Sequence, residues 1–269
     1  MLKVIGVGDN VVDRYLHLGR MFPGGNAVNF SVLARRCGHT AAYIGVVGRD
    51  AAGELLLTSL RREGVDISRV QVADGRTAYC DVNLVNGDRQ FAGYDLSIYD
   101  RLQLSAADFS FISHSHLVHT SVYSRIDGHL AALKEACPLL SYDFSDKWDD
   151  PRLPAVLPYI DFIFFSGSGR SEPEVKERLA DLLTRGPRLA AVTLGSDGAL
   201  LYDGTEYYRQ GVVPVRPVDT LGAGDAFLTR FLTDYLSGTA IPGALQAAAA
   251  AASAACRYYG AFGHGTDIK

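Results

Sequence analysis

The sequence predicts an α/β fold: a central, largely parallel sheet flanked by helices, with a small antiparallel appendage. Three observations predict it. Short apolar runs alternate with longer segments whose apolar residues recur every three or four positions, the signature of parallel βαβ units. Over residues 68–96 that alternation gives way to apolar residues set singly among polar ones, the pattern of small antiparallel strands. Beyond Asp219 a glycine-bearing turn opens into alanine-rich helical sequence.

The elements follow in order. Residues 4–8 form a short apolar run closed by glycine, a buried strand. A helix is predicted over Asn26–Arg36, where Phe30, Leu33, Ala34 and Cys37 share one face and Gly38 supplies a stop. Residues 42–47 return as a strand, and 51–63 as a second helix ended by Gly64. Within 68–96, Val70, Val72, Tyr79, Val82, Leu84 and Phe91 alternate with polar residues, and Asn86-Gly87 is a strong turn signal. That segment is too small to bury a core of its own, so it should cover a cleft or pair with a second copy. Strands are then predicted at 117–120, 139–144, Phe162–Ser166 and 189–194, with helices at 125–136 and 172–184. Residues 199–209 resemble a hairpin turning at Asp203-Gly204, and helices at Ala223–Leu236 and 242–259 close the chain.

A chain of 269 residues fits one α/β domain with an appendage better than two full domains. Hydrophobic residues at 48% and charged residues at 21% are ordinary globular composition. The net charge of −4 offers no basic surplus to draw the chain onto nucleic acid or a membrane, so neither is an expected partner. The cysteines Cys37, Cys80, Cys137 and Cys256 are scattered with no Cys-x-x-Cys pair, which reads as reduced thiols in a cytoplasmic protein. The most apolar long run, residues 244–256, is too short to span a bilayer and reads as a buried helix.

The strongest chemical signal is Asp219-Thr220-Leu221-Gly222-Ala223-Gly224-Asp225-Ala226-Phe227. Small residues at 222–224 let the backbone turn tightly and approach a ligand, and the helix start leaves N–H groups aimed at an anion. Asp225 sits in the first turn, where a carboxylate gains from the helix dipole. Other phosphate-binding patterns fail: there is no Gly-x4-Gly-Lys-Ser/Thr, and Gly6-Val7-Gly8-Asp9 breaks the dinucleotide-binding spacing. Gly-x-Ser-x-Gly is also absent, which removes a hydrolase elbow. A second cluster comprises Gly8-Asp9-Asn10-Val11-Val12-Asp13 after the first strand and Gly24-Gly25-Asn26-Ala27-Val28-Asn29 before the first helix. Acids and amides at strand ends face the ligand crevice of an open α/β sheet and suit the vicinal hydroxyls of a polyol. His114, His116 and His119 are spaced two and then three apart, which makes no facing metal pair; His119 ends a strand beside the cleft. Tyr142 and Trp148 read as core or rim aromatics.

In combination, Gly24-Gly25-Asn26, Gly48-Arg49-Asp50-Ala51-Ala52-Gly53, Val192-Thr193-Leu194-Gly195-Ser196-Asp197-Gly198 and the Asp225 motif resemble, in order, the ribokinase-like (PfkB) carbohydrate kinases. The resemblance covers essentially the whole chain, so it implies a single kinase domain over residues 1–269, with a β lid contributed mainly by about 68–96. It also implies an ATP-dependent phosphotransfer to a sugar hydroxyl, with Asp225 as base and the backbone of Gly222, Ala223 and Gly224 stabilising the transferred group. Asp9, Asn10, Asp13, Gly25 and Asn26 would hold the sugar; Thr193, Gly195, Gly198, Gly222 and Gly224 would border the nucleotide, with residues 256–259 flanking adenine. Mg²⁺ would bridge the phosphates, and a monovalent cation is a further candidate. In place of the family's Asn-x-x-Glu motif the chain reads Ser166-Gly167-Ser168-Gly169-Arg170-Ser171-Glu172, leaving Glu172 as the metal candidate. Arg230 replaces a usually small residue and would meet either phosphate or a nearby acid. The strings Gly8-Asp9-Asn10-Val11-Val12-Asp13 and Tyr142-Asp143-Phe144-Ser145-Asp146-Lys147-Trp148 are similar to the fructoselysine 6-kinases, which phosphorylate O6 of fructoselysine. Asp13, Asp143 or Asp146 would then meet the substrate ammonium, and Arg14, Arg89 or Lys147 its carboxylate. Kinases for another sugar or a nucleoside are the alternative on the same motifs, and a non-catalytic sugar- or nucleotide-binding sensor is the alternative from another class. The lid's strand edges offer a route to a homodimer.

Overall fold

The computed structural model describes residues 1–85, 88–98 and 101–268, and for 84, 85 and 88–92 only the backbone. The expected Asn86-Gly87 turn and the side chains of Arg89 and Phe91 therefore lie outside the described residues. The first half contains β1 (Lys3–Val7), β2 (Val11–Tyr15), β3 (Arg20–Gly24), α1 (Asn26–Arg36), β4 (Thr40–Ile44), β5 (Val46–Gly48) and α2 (Ala51–Arg62). It continues through β6 (Gln71–Ala73), β7 (Tyr79–Val85), β8 (Asp88–Asp95), α3 (Ala106–Ile112), β9 (Leu117–Ser121) and α4 (Leu130–Ala136). The second half contains β10 (Leu140–Asp143), α5 (Leu153–Val156), β11 (Phe162–Ser166), α6 (Glu172–Leu183), β12 (Leu189–Thr193), β13 (Ala199–Tyr202) and β14 (Tyr207–Gln210). Helices α7 (Ala223–Leu236) and α8 (Ile241–Ala255) and the short β15 (Thr266–Asp267) complete it.

Alternate residues of the central strands point to opposite faces, and both faces are apolar. Ile163 and Phe165 of β11 enter one core with Leu130 and Leu133 of α4 and Val175, Leu179 and Leu182 of α6. Phe162 and Phe164 enter another with Phe30 of α1, Phe227 and Phe231 of α7 and Leu245 of α8. Strands buried on both sides read as continuous hydrophobic runs, as β11 does. The eight-stranded sheet has the order β14-β13-β12-β11-β10-β9-β1-β4, with β13 and β14 antiparallel at one edge. Chain order reverses between β1 and β9, so the carboxyl ends of β1, β9, β10 and β12 open onto one crevice.

The second sheet draws on more of the chain than residues 68–96. Its order is β15-β3-β2-β7-β8, so β2 and β3 come from before the first helix and β15 from the C-terminal end. Its pairings are antiparallel except β2 with β7, which is parallel. β6, expected in this sheet, pairs instead with β5 in a separate two-stranded ribbon. The charged pair Asp13-Arg14 within β2 and Pro23 within β3 mask the alternation that would announce these strands.

Candidate active site

Helix α7 begins on Gly222, whose φ of 77° lies in the left-handed region. A Cβ there would stand 2.5 Å from the Ala261 Cβ, so both conformation and packing require glycine. Gly224 differs: its φ is ordinary, and an added Cβ would meet no protein atom within 4 Å. The packing of the fold therefore does not require glycine at 224, and the space in front of it opens onto the cleft described below. The Ala223 N–H turns back to the Thr220 carbonyl at 3.3 Å, while the N–H groups of Gly224 and Asp225 have no acceptor within the helix. Asp219 pins the loop in front: it accepts from the Leu221 N–H (3.0 Å), the Gly260 N–H (3.0 Å) and the Tyr15 hydroxyl (2.5 Å). One carboxylate thereby joins the small sheet, the glycine turn and the C-terminal segment.

Asp225 is held by two amides of α1. Asn26 Nδ2 donates to its Oδ1 at 2.8 Å and Asn29 Nδ2 to its Oδ2 at 2.6 Å. The two asparagines lie one turn apart on α1, so both reach the same carboxylate. Burial pushes the Asp225 carboxyl up to about 6, with Asp9 adding repulsion against the pull of the two amides. Asn26 Nδ2 also donates to Asp143 Oδ2 at 2.9 Å. Burial, then the nearby Asp225 charge, raises Asp143 to about 7.

The other N-terminal residues are turned inward. Asp9, 5% exposed, accepts from the Asn26 backbone N–H (2.5 Å) and from the hydroxyls of Ser121 and Ser124 (2.8 Å each). It fastens the start of α1 to the end of β9. Asn10 Nδ2 donates to the Tyr43 hydroxyl and the Val46 carbonyl, both at 2.8 Å. A Cβ on Gly25 would stand 2.5 Å from the Asn10 Cα, so this glycine serves packing of the loop. Asp13 lies on the small sheet, opposite Phe22 and beside Cys80, with its Oδ2 close against Gly24. Asp50 caps α2 through the Gly53 N–H (2.8 Å) and holds the Thr77 N–H (2.9 Å) and hydroxyl (2.7 Å), anchoring the entry to β7.

Beside this constellation runs a cleft of about 850 Å³. Thr193, Gly195, Gly198, Gly222, Ala223, Gly224, Asp225, Asp143 and Cys256 all line it, so the predicted nucleotide border and the predicted base share one cavity. Glu172 is not brought there: it pairs with Lys176 (2.8 Å) and Arg209 (2.9 Å) at the start of α6. Arg230 pairs with Asp234 at 2.7 Å one turn along, which resolves its alternative readings toward the nearby acid. Arg14 is bound to Asp81 (2.7 Å) and stacks over Tyr79, and Lys147 pairs with Asp146 (2.9 Å) on an exposed loop. Tyr142 and Trp148 are buried core aromatics. Among the described residues no group of three metal-ligating side chains occurs. Asn29, which the motif contains but residue types alone do not single out, holds Asp225; its spacing of three from Asn26 on a helix is the available signal.

A buried carboxylate at a helix start, fronted by a glycine turn and facing a cleft of about 850 Å³, is the arrangement expected of a phosphotransferase. Residues 5–264 match the pfkB family carbohydrate kinases, and the chain belongs to that family. It is an ATP-dependent sugar kinase. ATP and Mg²⁺ are the cofactors, and the metal would neutralise charge on the phosphates. It is 42% identical to the fructosamine kinase FrlD of Bacillus subtilis, over 100% of this chain and 95% of that one. It is 36% identical to the fructoselysine 6-kinase of Escherichia coli, over 97% of this chain and 100% of that one. Among solved structures it is similar to the Arabidopsis thaliana ribokinase complexed with ribose and ATP. That pair has a TM-score of 0.84 at 21% identity, covering 97% of this chain and 94% of that one, and the fold is ribokinase-like.

Proposed function

We propose that this kinase transfers the γ-phosphoryl group of ATP to O6 of fructoselysine or a related fructosamine. The observation that carries the reading is Asp225, held by Asn26 and Asn29 at the head of α7 beside the open backbone of Gly224. The two fructosamine-acting relatives, each aligned over nearly its full length, support the substrate class. The hydroxyl proton passes to the Asp225 carboxylate as the oxygen attacks phosphorus. A base near 6 is largely ionised at neutral pH yet basic enough to share that proton in the transition state. Backbone N–H groups of the first turn face the transferred phosphoryl group. Asp13, Asn26 and Asp225 contact the sugar, while Asp9, Asn10 and Gly25 shape the floor beneath it. O6 is a free hydroxyl only in the furanose or open-chain form of the substrate, so the site has to select one of these.

The whole chain acts as one kinase domain with the five-stranded sheet as its lid. The edge position of β8, where Tyr94 is 73% exposed, supports a homodimer formed through that sheet. A cytoplasmic location fits the four scattered cysteines, and no helix among the described residues is long and apolar enough to cross a membrane. A monovalent cation is a further proposed activator, read out as K⁺ dependence of turnover. The deciding experiment is coupled ADP release across fructoselysine, fructose, ribose and nucleosides. The expected result is kcat/KM for fructoselysine at least about tenfold above fructose, the low end of one charge-assisted contact. Equal or better use of a plain sugar or a nucleoside overturns the substrate, and no sugar-dependent ADP release at all returns the chain to a sensor.

A further inference from the structure

We infer that His119 is a positioning residue: as its Nε2–H tautomer it fixes the orientation of Asn26, so that one side-chain amide spans the base Asp225 and its neighbour Asp143. The inference rests on Asp225 being the base. The argument starts from what each group can do. An ionised Asp225 carboxylate only accepts hydrogen bonds, so the Asn26 side chain must turn its NH₂ toward it. It does, with Nδ2 at 2.8 Å from Asp225 Oδ1 and 2.9 Å from Asp143 Oδ2. Its Oδ1 is then directed away and needs a donor. His119 Nε2 lies 2.8 Å from that oxygen, so Nε2 carries the proton. Nδ1 is left as an acceptor, and the Ser141 hydroxyl sits 3.0 Å from it as donor. Every bond in the chain Ser141, His119, Asn26, carboxylates points the same way.

The ring cannot turn to offer another arrangement. His119 is wholly buried and stacked on Phe30, with centroids 4.5 Å apart. Burial also pushes its pKa down to about 3, so it stays neutral through the working range. The charged and titratable groups facing Asp225 among the described residues are Asp9 at the end of β1, Asp143 on β10 and, through Asn26, His119 on β9. Helix α1 presents only the two amides. Without the His119 donor, Asn26 is free to rotate. Asp225 then loses a bond that favours its charged form, its pKa rises, and the acid limb of the rate profile moves to higher pH.

The test compares His119→Leu with His119→Gln. Leucine keeps an apolar group against Phe30 but has no donor; glutamine gives up the ring stack but can donate to Asn26 Oδ1. Two quantities are measured: the pH dependence of kcat/KM with ATP and fructoselysine, and the Asp225 titration midpoint by carboxyl ¹³C NMR on the ligand-free enzyme, which needs no substrate. His119→Leu should raise both by about one pH unit, the scale of one charge-assisted hydrogen bond. His119→Gln should keep both near wild type. If His119 only packs, the leucine variant retains the wild-type midpoint and the glutamine variant is the one with lowered thermal stability; that result overturns the inference. Asp225→Asn in parallel separates the two readings. Its retention of turnover removes the base assignment itself, whereas an inactive Asp225→Asn alongside an unmoved His119→Leu midpoint removes only the role of His119.

Discussion

Gly224→Ala separates what the fold needs from what the ligand needs. The added methyl would meet no protein atom within 4 Å, and the residue is helical with an ordinary φ. Replacing glycine by alanine near a helix start should therefore be neutral or stabilising, by up to about 1 kcal/mol. The methyl instead enters the space in front of the α7 N-terminus, where a transferred phosphoryl group has to approach backbone N–H groups. Displacing one such donor contact costs roughly 10²–10³ in kcat. Gly222→Ala is the contrast, with its Cβ driven to 2.5 Å from Ala261 at a φ of 77°. That variant should lose about 2–4 kcal/mol of stability from left-handed strain plus overpacking. Thermal melts and coupled ADP release on both variants decide the matter. Wild-type kcat/KM in a well-folded Gly224→Ala would refute the reasoning, because the glycine would then serve neither fold nor ligand.

Asp225→Asn should lower kcat by roughly 10²–10⁴. The substituted amide also presents NH₂ to either Asn26 or Asn29, so a modest fall in melting temperature is expected with it; turnover within tenfold of wild type would remove the base. In the wild type, kcat/KM should fall on acidification through about pH 6 as Asp225 takes up a proton. Asp143 and Asp225 both have folded pKa values raised above the usual carboxylate value, so the stability they contribute is full below about pH 4. It is lost as pH rises through about 6 and about 7. Asp143→Asn should accordingly flatten the decline in melting temperature between about pH 4 and 7, from the ordinary carboxylate value up to the folded Asp143 value, and an unchanged slope counts against the shift. Hydrogen exchange of β7 and β8 should slow when sugar is bound; unaltered exchange under saturating, turnover-competent conditions speaks against lid closure.

The fold was legible wherever burial is two-sided or a helix has clean ends. β11, α1 and α7 begin and end where periodicity places them. Helix α8 stops at Ala255 rather than running to 259, because the Cys256 carbonyl is taken by the N–H groups of Val218 and Asp219. A contact more than thirty residues away in sequence sets that boundary, and no local pattern reports it. Helix α4 starts only at Leu130, after a 3-10 turn over Asp127–His129 and a left-handed Arg125 with φ of 52°. Helix α3 went unread although Ser105 and Asp108 form a reciprocal cap, with the Ser105 N–H at 2.9 Å from Asp108 Oδ2. Ser-x-x-Asp before an apolar stretch was the signal. Strands β2 and β3 of the small sheet are hard to read because Asp13-Arg14 and Pro23 interrupt their hydrophobic alternation.

The site divides along a similar line. Residue types and motif order name Asp225, Asn26 and the glycine turn, because each answers a local demand: a carboxylate at a helix start, an amide at a strand end, a left-handed φ. What they cannot name is the direction of hydrogen bonding among residues drawn from β9, β10, α1 and α7. The Asp9 carboxylate looks like a sugar ligand in the sequence and in space also clamps α1, with Oδ1 filled by the Ser121 and Ser124 hydroxyls and Oδ2 accepting the Asn26 N–H. His119 looks like a cleft residue and is a fully buried donor one bond behind the site. In both cases the deciding fact is the count of bonds each polar atom can make and which of them the interior has already filled. A buried polar group that is fully paired positions its neighbours; one still able to accept, as the proposed base Asp225 would be toward a hydroxyl proton, is equipped for chemistry.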